Sequence, residues 1–264
     1  MPLDPAYLST AIRAALAAGR VHRRYFRQNP EIRKKGPIDL VTAADLEVER
    51  EFRRMVAAEW PTHAVLGEEH AAAPERPGAR VRWIIDPLDG TTNFAHGLAL
   101  FCVSIALEID GRIELGVVFD PIGEELFTAE RGDGARLNGR RIHVSDRTEL
   151  VDSLLCTGFP YAIRDEPGSH VDVFAGFLGR AQAVRRLGSA ALDLCYVAAG
   201  RFEGFWEERL QPWDLAAGSL IVAEAGGLVT DYDGRPIDLF RGQIVASNGQ
   251  VHGKMRDVIA AHHR

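Results

Sequence analysis

The 264-residue sequence predicts an α/β protein in which two lobes pack tightly together as one unit. Three observations predict this fold class. Short apolar segments separated by strong turn signals run from Phe101 to Val144, which is the pattern of an antiparallel meander. Beyond Val151, strand-like and helix-like segments alternate, which indicates a second sheet covered by helices. No composition break is wide enough to be a free linker, so we expect lobes over residues 1–150 and 151–264.

The first part of the chain predicts two helices. Asp4 and Pro5 form an N-cap and first-turn pair, and the alanine-rich segment after them has helical composition to about Phe26. Around Thr42 the chain changes from a short extended piece to a second helix, and Asp45 follows three residues later, close to a capping box. Apolar residues then recur near one helical face at Leu46, Val48, Phe52, Met55 and Val56.

The strands come next. Short buried strands are predicted in THAVLGEEH and VRWIID, and each ends on acidic residues. The loop between them, residues 71–80, is expected to be the most flexible part of the chain. The meander follows as FCVSIALEI, IELGVVFD and EELFTAE, which are separated by the turn signals DGR and PIG.

The second part of the chain alternates between strands and helices. We predict strands in SLLCTG, AVRRLG and FEGFWEE, and helices near residues 171–180, in SAALDLCYVAAG and in PWDLAAGSLIVAEAGG. A last helix follows in QVHGKMRDVIAAHH.

Composition excludes several classes of protein. The hydrophobic fraction of 46% and the charged fraction of 26% are typical of a globular protein. The net charge of −6 and the absence of a long basic block argue against direct nucleic-acid binding. A small anionic substrate can still bind where a bound cation offsets the negative charge. No signal-peptide pattern or 18-residue apolar run occurs, and the three cysteines form no motif, so we expect a cytoplasmic protein with reduced thiols.

Carboxylates recur where predicted strands end or helices begin, at Glu68, Glu69, Asp86, Asp89 and Asp214. Ligand sites gather at such ends in α/β sheets. Pro87 restricts the loop between Asp86 and Asp89, and two carboxylates held so close repel each other unless a cation lies between them. Oxygen donors without clustered Cys or His favour Mg²⁺ or Mn²⁺ over Zn²⁺. Taken alone, each group is more typical of a solvated turn or a helix cap.

The residues after Asp89 add a second kind of site. Gly90 and two threonines are expected to open a helix, where backbone N–H groups suit a phosphate. Metal ligands beside a phosphate site predict hydrolysis of a phosphate monoester by a metal-activated water. The spacing also leaves open Asp86 as a nucleophile that forms an aspartyl phosphate.

These motifs resemble those of the inositol monophosphatase family of Mg²⁺-dependent, lithium-sensitive phosphatases. Residues 83–94, WIIDPLDGTTNF, match the first signature of the family at every position, and residues 213–227, WDLAAGSLIVAEAGG, match the second equally closely. DLVTAAD and GEE stand at the expected places upstream. The resemblance spans nearly the whole chain and implies a layered αβαβα sandwich with an antiparallel meander sheet and a second mixed sheet.

The resemblance also assigns the metal ligands. One metal is expected on Glu68, Asp86 and the backbone carbonyl of Leu88, and a second on Asp86, Asp89 and Asp214. A weaker third site would use Glu68 and water, so two or three Mg²⁺ ions are implied, with Mn²⁺ as a substitute.

Further roles follow from the same resemblance. Thr91 and Glu68 are expected to orient and activate the attacking water, with Asp45 and Thr42 supporting them. The amides of Gly90 and Thr91 would hold the phosphate. Substrate hydroxyls would contact the residues Asp89, Gly188, Ser189, Ala190 and Glu207. Without the resemblance, Glu207 is more typical of a solvated strand edge and Ser189 of a helix cap.

The implied function is Mg²⁺-dependent hydrolysis of myo-inositol monophosphate by a cytoplasmic homodimer. Fructose 1,6-bisphosphate is the runner-up substrate, and other sugar, nucleotide or histidinol phosphates use the same machinery. A regulatory protein that keeps the fold but acts through a partner is the alternative from another class.

Overall fold

The computed structural model describes residues 3–28, 32–34, 40–70, 79–160, 163 and 167–263, without the side chains of residues 32–34 and 40. Apart from Ala79 and Arg80, the loop predicted to be flexible lies outside the described residues. The helices of the described part are α1 (Pro5–Tyr25), α2 (Ala43–Glu59), α3 (Thr91–Ala95), α4 (Gly168–Leu178), α5 (Ala190–Ala198), α6 (Pro212–Glu224) and α7 (His252–His262). None of these helices is both long enough and apolar enough to cross a membrane.

Within the described residues, the strands form three sheets. The strands are β1 (Ile32–Lys34), β2 (Leu40–Thr42), β3 (Ala64–Gly67), β4 (Val81–Asp89), β5 (Cys102–Ile109), β6 (Arg112–Asp120), β7 (Glu125–Glu130), β8 (Gly134–Leu137), β9 (Arg140–Arg141), β10 (Leu154–Thr157), β11 (Ala183–Arg185), β12 (Gly204–Glu207), β13 (Leu228–Thr230) and β14 (Ile244–Ser247). Strands β1 and β2 pair as an antiparallel ribbon.

The two large sheets differ in topology. Strands β3 to β9 form a seven-stranded sheet in chain order, in which β3 and β4 are parallel and every later neighbour is antiparallel. The second sheet has the order β11-β10-β12-β14-β13, parallel at its first three strands and antiparallel at the rest. The predicted meander and the predicted mixed sheet are therefore confirmed. The boundary between lobes at residue 150 stays a prediction.

The helices pack on the outer faces of the two large sheets and between them. Helices α1 and α2 pack on one face of the seven-stranded sheet, α5 and α6 lie between the two sheets, and α4 and α7 cover the outer face of the second sheet. These layers are the predicted αβαβα sandwich. Because both faces of the seven-stranded sheet are covered, β4 is apolar on both sides: Trp83 and Ile85 face α1 and α2, and Ile84 faces the middle layer. Burying each such side chain stabilises the fold by about 1.5–3 kcal/mol.

Close packing sets the position of α6. A Cβ atom on Gly116 of β6 would lie 2.8 Å from the carbonyl oxygen of Ala217, so only glycine allows the helix to approach this far. Asp214, in the first turn of α6, is thereby placed near the end of β4.

The sequence did not predict β13 or β14. Strand β14 is only four residues long and buried throughout. A short apolar run of this kind has no periodicity that separates it from a helix or a loop. Its pairing with both β12 and β13 is a property of the assembled sheet.

Candidate active site

A cavity of about 370 Å³ lies where β4 and β12 end and where α3, α5 and α6 begin. β4 and β12 belong to the two large sheets, and α5 and α6 lie in the middle layer. Of the site residues predicted from the sequence, all line this cavity except Thr42 and Asp45, which lie behind it. The cavity therefore brings together residues more than a hundred positions apart in the chain.

The end of β4 presents two aspartates to the cavity. Asp86 pairs with Ser104 of β5 and Asp89 pairs with Cys102, so three steps along β4 match two along β5 and the strand bulges between its aspartates. A bulge of this kind redirects side chains and is frequent beside active sites. Asp86 Oδ1 accepts a hydrogen bond from the Leu88 amide at 2.9 Å, which folds the bulge back on itself.

Asp89 joins this strand end to the start of α5. Its Oδ2 accepts a hydrogen bond from Ser189 Oγ at 2.6 Å and another from the Ala191 amide at 2.8 Å. Ser189 does not cap α5 with its own side chain. The interpretation of Ser189 as a simple helix cap is therefore wrong, because the hydrogen bond at the start of α5 is accepted by Asp89 from the end of β4.

Asn93 makes a second connection, which was not predicted from the sequence. Its Nδ2 donates to the Leu100 and Leu187 carbonyl oxygens, both at 2.8 Å. One amide group thus links α3 to the loop that leads to Gly188. Its place in the motif DGTTN was the available signal, but its partners are remote in sequence.

A chain of polar side chains supports Thr91. Thr91 Oγ1 lies 2.9 Å from the Leu88 carbonyl oxygen and 3.4 Å from Asp45 Oδ1. Asp45 Oδ2 accepts from the Thr42 hydroxyl at 2.6 Å and from the Thr42 amide at 2.8 Å, which confirms the predicted capping box. Burial raises the pKa of Asp45 to about 7, against the lowering effect of the Thr42 hydrogen bond. A carboxylate in this state can accept a proton near neutral pH.

Asp214 on α6 and Glu207 on β12 are the carboxylates from the later part of the chain. Asp214 Oδ2 accepts from the Gln211 amide at 2.7 Å, so it closes the first turn of α6 while lining the cavity. Glu207 is only 9% exposed, so the alternative of a solvated strand edge is wrong. A Cβ atom on Gly158 would lie 2.0 Å from Glu207 Oε2, so glycine is needed there to make room for the carboxylate. Burial raises the pKa of Glu207 to about 8.

The cavity is strongly acidic. Burial raises the pKa values of Asp86 and Asp214 well above their usual range and that of Asp89 to about 6, and the charge of Glu68 adds to all three shifts. Two arginines, Arg186 and Arg209, also line it. They are outnumbered among the lining residues by seven carboxylates, those of Glu68, Asp86, Asp89, Asp193, Glu207, Glu208 and Asp214.

These residues suit a hard divalent cation. The donors are carboxylate and carbonyl oxygens, which Mg²⁺ and Mn²⁺ prefer, and their mutual repulsion is the cost that a cation relieves. Among the described residues, no three His, Cys, Asp or Glu side chains already stand close enough to hold a metal.

Asp193 and Arg186 are two further cavity residues that were not predicted from the sequence. Asp193 lines the cavity from α5, and its Oδ1 is buried without a hydrogen-bond partner among the described residues. Burial raises its pKa well above the usual range, and Arg186 partly opposes this. Neither residue stood out from an ordinary helix or loop pattern.

Comparisons with known proteins identify the family and support the fold. The model of the inositol monophosphatase family matches residues 5–264. The chain belongs to this family. It is 45% identical over 256 residues to an inositol-1-monophosphatase of Rhizobium meliloti, with 96% of each chain covered. It is also 44% identical over 260 residues to the Nus factor SuhB of Pseudomonas aeruginosa, covering 97% of this chain and 96% of that protein.

A solved structure supports the same assignment. The extragenic suppressor protein suhB of Bartonella henselae has a TM-score of 0.90 and 42% identity, over 96% of this chain and 98% of that one. The family membership and the fold are therefore established together.

Proposed function

We propose that the protein is a Mg²⁺-dependent phosphomonoesterase that converts myo-inositol monophosphate to inositol and phosphate. The observation that carries the proposal is the meeting of Glu68, Asp86, Asp89 and Asp214 in one cavity beside Thr91. A phosphate dianion cannot enter so acidic a site unless cations offset the charge. Curated relatives named inositol-1-monophosphatase support the choice of substrate.

The proposed metal ligands are the residues assigned by the resemblance. Glu68, Asp86 and the Leu88 carbonyl would hold one Mg²⁺, and Asp86, Asp89 and Asp214 a second. A third, weaker site would use Glu68 and water. Bound Mg²⁺ would supply Lewis acidity that lowers the pKa of a nearby water and offsets charge on the phosphate oxygens.

The chain itself would position the water and take up its proton. Thr91 Oγ1 accepts a hydrogen bond from the attacking water in this scheme, with Glu68 on the same cavity wall. Asp45 Oδ1 lies 3.4 Å from Thr91 Oγ1 and would receive the proton through the hydroxyl, once the hydroxyl hydrogen turns from the Leu88 carbonyl oxygen toward it. The water oxygen would form the new bond to phosphorus and the ester P–O bond would break. The departing alcohol oxygen would take a proton from solvent water, and Asp45 would return its proton to solvent.

Binding of the ester is proposed at two walls of the cavity. The Gly90 and Thr91 amides would hold the phosphate. Hydroxyl groups of the alcohol would contact Asp89, Glu207 and the loop over residues 188–190. A cavity of about 370 Å³ with many acceptors suits a small polyol rather than an apolar alcohol.

The decisive test is phosphate release by the purified protein. We expect release from myo-inositol 1-phosphate with Mg²⁺, a smaller rate with Mn²⁺, inhibition by Li⁺ and a higher kcat/KM than for fructose 1,6-bisphosphate or histidinol phosphate. Full turnover in excess chelator would contradict the metal mechanism. A higher kcat/KM for the bisphosphate would replace the substrate and leave the reaction class intact. Sedimentation of the same sample tests the proposed homodimer.

Metal affinity is expected to depend on pH. In the metal-free protein Asp89 has a pKa of about 6, raised mainly by burial, and the pKa values of Asp86 and Asp214 are also raised. Below these pKa values the carboxylates are protonated, so Mg²⁺ must displace protons to bind. Calorimetric titration should therefore show the Kd rising by about tenfold per pH unit below about pH 6 for each proton displaced. A constant Kd between about pH 8 and pH 5 would contradict these ligands.

A second candidate function is regulation through a protein partner. Relatives named Nus factor SuhB are 43–44% identical over more than 90% of the chain, which favours this candidate. A complementation experiment, in a cell that needs this gene for growth, distinguishes the two functions. A variant without phosphatase activity that still complements the deletion supports the regulatory function, and loss of complementation supports catalysis.

A further inference from the structure

His22 is a fully buried histidine on α1 that lies against the Asp86–Asp89 loop from outside the cavity. Its Nε2 is 2.8 Å from the Pro87 carbonyl oxygen. A carbonyl oxygen only accepts hydrogen bonds, so Nε2 must carry the proton and donate. The other ring nitrogen, Nδ1, is then unprotonated, and it has no partner among the described residues.

The Pro87 carbonyl group lies where the register between β4 and β5 is interrupted. The ladder between β4 and β5 pairs Asp86 with Ser104 and next pairs Asp89 with Cys102, so Pro87 and Leu88 lie in the gap. A buried carbonyl without a partner costs about 1–3 kcal/mol. The imidazole of His22 donates to this carbonyl oxygen.

This bond fixes one side of a rigid peptide group whose other side is also held. The Leu88 amide of the same peptide donates to Asp86 Oδ1 at 2.9 Å. The Leu88 carbonyl oxygen, one residue later, accepts from Thr91 Oγ1 at 2.9 Å. Because a peptide group is planar, anchoring its oxygen and its amide hydrogen prevents the loop from rotating.

Packing alone does not account for a histidine here. The ring makes edge contacts with Phe94 and Phe101, at centroid distances of 6.2 and 5.8 Å, and an apolar side chain could make similar contacts without burying an unpartnered nitrogen. Burial lowers the pKa of His22 to about 4, so the ring is neutral and keeps one donor at the pH of a phosphatase assay.

We propose that His22 is a positioning residue for the metal loop: its Nε2–H group fixes the Pro87–Leu88 peptide and thereby presets Asp86, Asp89 and the Leu88 carbonyl for the cation. The inference rests on the proposed function, because it concerns the same ligands. Groups that orient metal ligands from outside typically change metal affinity by about 10–100-fold.

The test compares three variants of the full chain. His22→Phe keeps an aromatic ring without the donor, His22→Gln keeps an N–H donor, and Val21→Ala removes apolar packing from the same buried face of α1. We expect His22→Phe to raise the Mg²⁺ Kd, measured by calorimetry, by about tenfold or more. His22→Gln should restore most of the affinity. Val21→Ala should lower Tm and leave the Mg²⁺ Kd unchanged.

The outcomes separate the inference from the function on which it rests. If His22→Phe has the wild-type Mg²⁺ Kd, the positioning role is wrong and the proposed function is unaffected. The same holds if all three variants lose Mg²⁺ affinity in proportion to their loss of Tm. A wild-type protein that binds no Mg²⁺ overturns the proposed function as well. Independently, ¹⁵N NMR of the metal-free protein should show the Nε2–H tautomer of His22, and the Nδ1–H tautomer would contradict the donor assignment.

Discussion

Asp89→Asn is expected to remove Mg²⁺-dependent phosphate release while leaving the protein folded. Asp89 is the proposed ligand that also faces the substrate, and asparagine lacks the charge that holds the cation. Partners outside the ligand shell already change affinity or activity by about 10–100-fold, so we expect a loss of activity greater than about 100-fold. The measurement is kcat/KM for myo-inositol 1-phosphate at saturating Mg²⁺.

The thermal stability of Asp89→Asn is not expected to fall with its activity. Burial raises the pKa of Asp89 to about 6. Ionising Asp89 therefore lowers the free energy of unfolding. This loss grows as the pH rises from the pKa of the unfolded chain to about pH 6, and it is constant above that pH. Asparagine removes that penalty, and its side-chain oxygen still accepts from the Ala191 amide. We therefore expect the Tm of the metal-free variant above pH 7 to equal or exceed that of the wild type.

Asp120→Asn is the matched control. Asp120 is also buried, also has a raised pKa and also accepts backbone hydrogen bonds, from Ile122 at 2.8 Å and Gly123 at 2.9 Å. It ends strand β6, which β5 separates from β4 in the same sheet, and it does not line the cavity. Its replacement should leave kcat/KM near the wild-type value. Substantial Mg²⁺-dependent turnover in Asp89→Asn would refute the role of Asp89 as a ligand.

Gly90→Ala is expected to have the largest effect on stability. Gly90 has φ of +95°, and a Cβ atom there would lie 2.8 Å from the Leu100 carbonyl oxygen. The left-handed conformation costs an L-residue about 1–2 kcal/mol, and crowding against backbone adds about 1–3 kcal/mol. We expect urea unfolding to show a loss of about 3 kcal/mol, and activity to fall further because Thr91 must shift.

Gly111→Ala separates the two contributions. Gly111 has a similar φ of +80° but no atom within 4 Å of the added Cβ. It should lose only the conformational contribution of about 1–2 kcal/mol and keep its activity. Equal losses of stability in both variants would show that the close approach to the Leu100 carbonyl oxygen does not add to the cost of Gly90→Ala.

The sequence alone predicted the element types well where the signals are local. The N-cap at Asp4, the capping box at Thr42 and the meander after Phe101 all depend on neighbours within a few residues, and each is confirmed. The long signature around Asp86 predicted the family for the same reason.

The sequence could not predict contacts that cross the molecule. Nothing in the neighbourhood of Ser189 shows that its hydroxyl donates to Asp89, a hundred positions earlier. No local pattern distinguishes His22 from its neighbours on α1, and only the packing of α1 places it against Pro87. The partners of both residues are set by how layers stack, and a local pattern contains no information about that stacking.

By itself, the sequence determined the fold class, the family and the carboxylates that end the strands, because periodicity, capping and motif spacing are properties of short segments. Only the tertiary structure decided that Asp86, Asp89, Asp214 and Glu207 share one cavity. The physical reason is the middle layer: the approach of α6 to β6 at Gly116 and the bulge at the end of β4 bring these carboxylates to one place despite their mutual repulsion.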